Sequence, residues 1–254
     1  MADEPSDLKF ENVVTDHCNE NEKDDANDSE LPLEKLKLGP RRKLLVLCLG
    51  GLLVNRVHMQ HWTKVQGLKP DLCNGKFVVF KRPFCTEFIK FCFERFEVGI
   101  WSATVETNTE AILECVTGSE MKKKLAFVWG QEECMDSGMP CLRKRQKPLF
   151  LKDFEGSSNT LLICVDPPTS LLNPPNTGIF PQPYKRHDIK DTFLVANGEL
   201  RSYLEGLADV DNVPSYVKEH PFGQPAITPS HPDWNYYAKI VREFVKEDDK
   251  ITSK

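Results

Sequence analysis

Lys43-Leu-Leu-Val-Leu-Cys-Leu-Gly-Gly-Leu-Leu-Val54 contains the longest apolar stretch of the chain, Leu44 to Val54, which is broken by Gly50 and Gly51 and reads as a buried strand. Its first part, Lys43 to Gly50, has the length of one strand and no polar alternation, which suits a parallel strand covered on both faces. Downstream, Phe77-Val-Val-Phe80 predicts a second short strand. Arg82-Pro83 follows, and Pro fits the first turn of a helix. Phe88, Ile89, Phe91, Cys92 and Phe96 then recur at helical spacing. Glu97 to Trp101, Leu125 to Trp129, Asn159 to Val165 and Thr177 to Phe180 predict further strands. Asn108 to Val116, capped by Thr107 or Asn108, and Gly198 to Leu207 predict helices. Strands alternating with helices predict an α/β fold, a doubly wound, mainly parallel sheet with flanking helices. Ligand sites in such sheets lie at the carboxyl ends of the strands. The residues just after Leu47, Ile100 and Ile163 are therefore the ones to inspect.

Composition bounds the rest. The 254 residues are 40% hydrophobic and 28% charged, ordinary for a globular protein that needs no disulfide or metal clip. No apolar run reaches the roughly 18 residues of a membrane span. Residues 1–37 hold 12 Asp/Glu against 4 Lys, a net charge of −8, so the remainder of a chain of net −5 is near +3. That acidic start is neither a secretory signal nor a transit peptide. It is too polar to bury enough surface, and disorder is expected. The predicted organisation is a disordered acidic tail at 1–37, one domain at 38–210, and a Pro-rich segment with a terminal helix at 211–254. In that last segment Pro214, Pro221, Pro225, Pro229 and Pro232 prevent a long helix before Trp234. Asp233 to Val245 then predicts a helix with Trp234, Tyr237, Ile240, Val241 and Phe244 on one side. It is expected to pack back on the domain, with a partner-binding role as the alternative.

The charge balance implies no nucleic-acid partner. Basic clusters at Arg41-Arg42-Lys43, Lys122-Lys123-Lys124 and Arg143-Lys144-Arg145 predict solvated surface, with a nuclear-import or phosphoprotein-binding patch as the sharper reading. Nine cysteines with no Cys-x-x-Cys pair point to a reducing compartment and to small apolar fillers. His58, His61 and His187 have no partner at ligand spacing.

Four blocks carry a resemblance to a known family. They are Lys43 to Val54; Lys81-Arg-Pro-Phe-Cys-Thr-Glu-Phe-Ile-Lys-Phe-Cys-Phe-Glu-Arg-Phe-Glu-Val-Gly-Ile-Trp-Ser102; Lys147-Pro-Leu-Phe-Leu-Lys152; and Asn159-Thr-Leu-Leu-Ile-Cys-Val-Asp-Pro167 with Asn173-Pro-Pro-Asn-Thr-Gly-Ile-Phe-Pro181. Over about 38–225 the chain resembles the FCP-type (NLI-interacting-factor-like, small CTD phosphatase-like) domain of the haloacid dehalogenase superfamily, with plant members the nearest in resemblance. The resemblance implies a Mg2+-dependent phosphatase fold whose first block reads Asp-x-Asp-x-Thr. The first Asp of that pattern is a nucleophile forming an aspartyl-phosphate, and the second a general acid and base.

Laid onto this chain, the nucleophile position is Cys48, the acid/base position Gly50 and the Thr position Leu52. The two acidic positions that complete the family's Mg2+ site are Cys164 and Val165. Asp166, one residue on, is a stray ligand that would approach the site only if the loop shifted by one residue, which in a strand turns the side chain to the other face. The Trp-Asp-Gln-like segment is Trp129-Gly130-Gln131. Two polar positions survive: Ser102 matches a phosphate-contacting Ser/Thr, and Lys152 matches the Lys that steadies the phosphorylated state. No catalytic residue, no metal ligand set and no cofactor are expected here.

The expected function is a catalytically inactive phosphatase-like protein that binds proteins or phosphoproteins, in the nucleus or cytoplasm. One alternative is a residual protein serine/threonine phosphatase of the CTD-phosphatase-like class, through Cys48 as thiol nucleophile or through a metal site rescued by Asp166. Another is a translocase-receptor-like member of the family in mitochondrial preprotein import. That branch has also lost catalytic acids, but this chain shows no presequence or membrane span.

Overall fold

In the computed structural model, Leu44–Cys48 forms the central strand, β1, and its five residues divide between two cores. Successive strand side chains point to opposite faces. Leu45 and Leu47 enter the larger apolar cluster, while Leu44 and Val46 enter a second one. All four are nearly or wholly buried, which is why no polar alternation is needed. The structure describes residues 42–64, 67–103, 106–136, 149–150, 157–185, 188 and 190–251. The acidic segment 1–37, Lys152, His187 and the basic cluster at 143–145 lie outside the described residues.

The chain continues through β2 (Val54–His58), β3 (Leu72–Asn74), β4 (Phe77–Lys81), α1 (Cys85–Arg95), β5 (Glu97–Trp101), α2 (Glu106–Lys122, interrupted at Gly118) and β6 (Phe127–Trp129). There follow β7 (Met135–Asp136), β8 (Leu149–Phe150), β9 (Thr160–Ile163), β10 (Gly178–Ile179), α3 (Glu199–Ala208), α4 (Val213–Glu219) and α5 (Trp234–Ile251). Five strands make one parallel sheet in the order β10-β9-β1-β5-β6. Phe88, Ile89 and Cys92 of α1, Ile112 and Leu113 of α2, and Leu200, Leu204 and Leu207 of α3 join the cluster that holds Leu45 and Leu47. Each such aliphatic side chain stabilises the fold by roughly 1.5–3 kcal/mol relative to exposure. The expected α/β class with a parallel sheet and flanking helices is what the structure has.

Three local expectations are corrected. The apolar run does not continue as strand to Val54. Leu49 to Leu53 turn, with the Leu53 and Val54 N–H groups both donating to the Leu49 carbonyl at 3.0 and 3.1 Å. Val54 then starts β2, which pairs antiparallel with β4 in a separate three-stranded sheet, β2-β4-β3. Phe77 to Phe80 therefore belongs to that small sheet and not to the parallel one. Lys43 is not solvated surface: it is 6% exposed, and its Nζ donates to the Ala208 carbonyl at 2.9 Å. Its methylene stem lies in the protein while the charge meets a helix-end carbonyl, where a cation is favoured.

The short helix α4 precedes Trp234 without conflict, because Pro214 sits in its first turn, where its missing N–H costs no hydrogen bond. Asn212 caps it by accepting from Ser215 N at 2.8 Å. Tyr237, Ile240 and Phe244 of α5 pack with Leu171, Leu172 and Ile227 in a cluster of their own. Among the described residues no helix is long and apolar enough to cross a membrane.

Candidate functional site

The carboxyl ends of β9, β1 and β5 stand side by side in the sheet. Their register decides which side chains meet there. Cys48 is opposite Trp101 in the rung between β1 and β5, and Leu47 opposite Ile163 in the last rung between β1 and β9. The sequence-predicted positions Cys48 and Cys164 are thereby brought side by side at the ends of β1 and β9. The neighbouring Cys164 thiol, followed by burial, holds the Cys48 thiol well above its ordinary value, and the Asp166 carboxylate pushes the same way. A thiol so placed is protonated at neutral pH and a weak nucleophile.

The turn after β1 is set by Gly51, whose φ of +79° is left-handed backbone that glycine adopts without strain. There is also no room for a side chain: a Cβ at Gly51 would lie 2.6 Å from Cγ2 of Val165. Val165 thus fills space against this turn. Gly50, one residue earlier, is exposed, and a Cβ there would meet nothing within 4 Å. Leu52 is fully buried in the main core. The Asp166 charge is the smallest of the influences that raise Cys48. The strand has ended at Ile163, so strict alternation no longer governs where that side chain points. The Asp166 carbonyl accepts from Thr169 N at 3.0 Å and from Thr169 Oγ1 at 2.7 Å, opening a 3-10 turn at Pro167–Ser170.

On the other side of β1, Ser102 is 5% exposed, and its N–H donates to the Trp129 carbonyl at 2.9 Å. Trp129 stacks on Phe127 at 4.2 Å and meets Trp101 edge-on at 4.9 Å. Gly99 makes this aromatic wall possible, since a Cβ there would run into the Phe127 ring directly across the rung. Sequence reasoning passed over Cys134. The Trp101 indole donates to its Sγ at 3.2 Å, and that thiol faces the Gly130 carbonyl at 3.3 Å. It lies over 30 residues beyond β5, and no spacing signal marks it.

Mg2+ requires about six oxygen ligands in near-octahedral array. The strand ends offer two soft thiols, a glycine, a leucine and a valine, and Asp166 just beyond β9 adds one carboxylate. These residues do not fit Mg2+. Among the described residues no group of three or more His, Cys, Asp or Glu side chains could hold a metal ion. A cavity of about 540 Å³, lined in part by Asn173, Thr177, Phe180, Pro221, Gln224 and Pro229, takes in none of Cys48, Ser102 or Cys164.

Two solved structures each align over 84% of this chain and 66% of their own, at 13% and 14% identity and TM-scores of 0.39. They are Fcp1, an essential RNA polymerase II CTD phosphatase, and fission yeast Fcp1 bound to beryllium fluoride. The chain thus spans just under two thirds of their length. A search of curated proteins finds no match. The model of the NLI interacting factor-like phosphatases matches residues 43–214, well over half of the chain. The chain belongs to the NLI interacting factor-like phosphatase family.

Proposed function

We propose that this chain is a catalytically inactive member of its family, retained as a protein- or phosphoprotein-binding module. The observation that carries the reading is the chemistry of the strand ends. Where the family pattern calls for a nucleophilic carboxylate, an acid/base carboxylate and metal-binding acids, this chain has Cys48, Gly50, Cys164 and Val165. A protonated thiol stands in the nucleophile's place. Nothing at Gly50 can protonate a leaving group, and Mg2+ has no oxygen shell to enter. Ser102 at the end of β5 and Lys152, by its place in the sequence, are the groups left to contact a phosphate. The resemblance in its four blocks to plant members, and a reducing nuclear or cytoplasmic setting for nine cysteines, belong to the same reading.

The test is turnover of an aryl phosphate with Mg2+ by the purified full chain, beside Cys48→Ser and the double variant Cys48→Asp/Gly50→Asp. The expected result is no turnover by the wild type. Turnover by the wild type that Cys48→Ser abolishes would overturn the reading in favour of a thiol phosphatase. With a silent wild type, phosphopeptide affinity measured against the unphosphorylated peptide, and again with Ser102→Ala, tests the binding half. Equal affinity for both peptides would leave no role for the phosphate-contact positions.

A further inference from the structure

Cys48 and Cys164 have no task in the binding function proposed above, yet they are arranged as a pair. Leu47 and Ile163 form the last rung between β1 and β9, and the two cysteines follow one step on. Both lie on the face that carries Val46 and Leu162. Neighbouring strands run about 4.7–4.9 Å apart, inside the roughly 4.4–6.8 Å that Cα atoms span across a disulfide. The backbone of Cys164 is tied down through its N–H to the Ile179 carbonyl at 3.2 Å. Its sulfur lies 3.2 Å from Thr169 Oγ1. Its neighbours, Cys48 first and then Thr169 and the Asp166 backbone, draw the Cys164 thiol down, against the opposing effect of burial. Cys164 is 4% exposed, and Cys48 is half-buried, the more open residue of the two. The third thiol nearby, Cys134, is engaged with the Trp101 indole and the Gly130 carbonyl.

We propose that Cys48 and Cys164 are a redox-active dithiol that closes to an intramolecular disulfide when a hydroperoxide is the oxidant. The step removes two electrons from the pair. One S–S bond replaces two S–H bonds, and the O–O bond of the hydroperoxide breaks. The two protons leave on its oxygens, as water and an alcohol, or as two waters from hydrogen peroxide. A dithiol reductant reverses it by exchange. The sheet register supplies the short approach between the two cysteines.

The experiment treats the purified, reduced full chain with hydrogen peroxide, blocks remaining thiols under denaturing conditions, and maps tryptic peptides without reduction. Cys48 lies alone in peptide 44–56 and Cys164 alone in peptide 153–185, while Cys134 falls in peptide 125–143. The expected product is 44–56 linked to 153–185, two hydrogens lighter than the sum, lost on treatment with dithiothreitol. The titratable thiols fall by two from nine. A link from 44–56 to 125–143 overturns the proposal. So does Cys48 carrying two or three oxygens with no link, or a pair of thiols left unchanged. A Cys48–Cys164 link that forms as fast in guanidinium as in the native chain also overturns it, because the sheet would then contribute nothing. The decisive mapping is made on the wild-type chain and does not depend on a variant folding. It is also independent of phosphatase turnover, so its failure and that of the binding reading are distinguishable.

Discussion

Arg82 and Asp191, 109 residues apart, form a two-point ion pair in which Nε and Nη2 of the guanidinium donate to the two carboxylate oxygens at 2.9 and 2.8 Å. Both side chains are enclosed, at 5% and 10% exposure. The Arg82 backbone N–H also donates to the Leu53 carbonyl at 2.9 Å, and its guanidinium stacks over Phe193 at 4.3 Å. The pair therefore joins the end of the turn after β1 to the segment leading into α3. Asp191→Asn leaves a buried guanidinium facing a neutral partner, and the expected loss is about 3 kcal/mol in urea unfolding. Arg82→Met with Asp191→Leu removes both charges. The double variant is expected to lose less than the sum of the two single changes, as a double-mutant cycle will read directly.

Gly51 faces two constraints that can be separated. Gly51→Ala places a side chain at φ +79° and drives its Cβ into Val165. The expected cost is about 2 kcal/mol. In a Val165→Ala background the steric part is relieved and about 1 kcal/mol of backbone strain remains. Equal costs in both backgrounds, measured by chemical denaturation, would show that Val165 does not pack on the turn.

Buried thiols predict a fall of stability at alkaline pH. Burial pushes Cys85 up to about 12, with Cys115 and Glu87 adding to the rise and Lys81 and Arg82 opposing it. Burial also raises Cys92 well above 9.0. A raised folded-state value means that the folded chain holds its protons after the unfolded chain has released them. The stabilisation is complete below about pH 9 and is lost as pH climbs toward about 12, at about 1.4 kcal/mol per pH unit for each such thiol. Denaturation midpoints followed from pH 8 to pH 11 check this, and Cys85→Ala should flatten the slope.

Ile240 reports on how α5 is held. It is fully buried beside Tyr237 and Phe244, with Leu171 and Leu172 packed against the cluster. Ile240→Ala is expected to cost about 3 kcal/mol. Exposed Lys239 next to it is the control, with a change of at most about 0.5 kcal/mol on substitution by Ala. Matching small effects at both positions would mean that α5 adds little to the stability of the fold.

Much of the parallel sheet was legible in single stretches. Leu44 to Leu47, Val98 to Trp101 and Leu161 to Ile163 are short, continuous apolar runs. A strand covered on both faces needs that composition wherever it sits, so the local signal and the tertiary outcome agree. The small antiparallel sheet was not legible. Val54-Asn-Arg-Val-His58 and Leu72-Cys-Asn74 have little apolar content of their own, and they become strands by pairing with β4. Lys43 was misjudged for a similar reason. Its charge suggests solvent, and only the placement of the α3 carboxyl end gives its ammonium group a carbonyl to meet.

At the candidate site the division is sharper. The residue types at Cys48, Gly50, Leu52, Cys164 and Val165 were determined by the sequence alone, and with them the lack of carboxylate oxygens at those positions, because side-chain chemistry does not depend on where the chain goes. Tertiary structure decided what those residues do to one another. Register across 116 residues sets Cys48 and Cys164 side by side at neighbouring strand ends, and chain reversals bring in Cys134, Asp166 and the Arg82–Asp191 pair. Those relations are distances between segments far apart in the chain, and a distance of that kind is fixed only when packing selects one register of the sheet and one path for each loop.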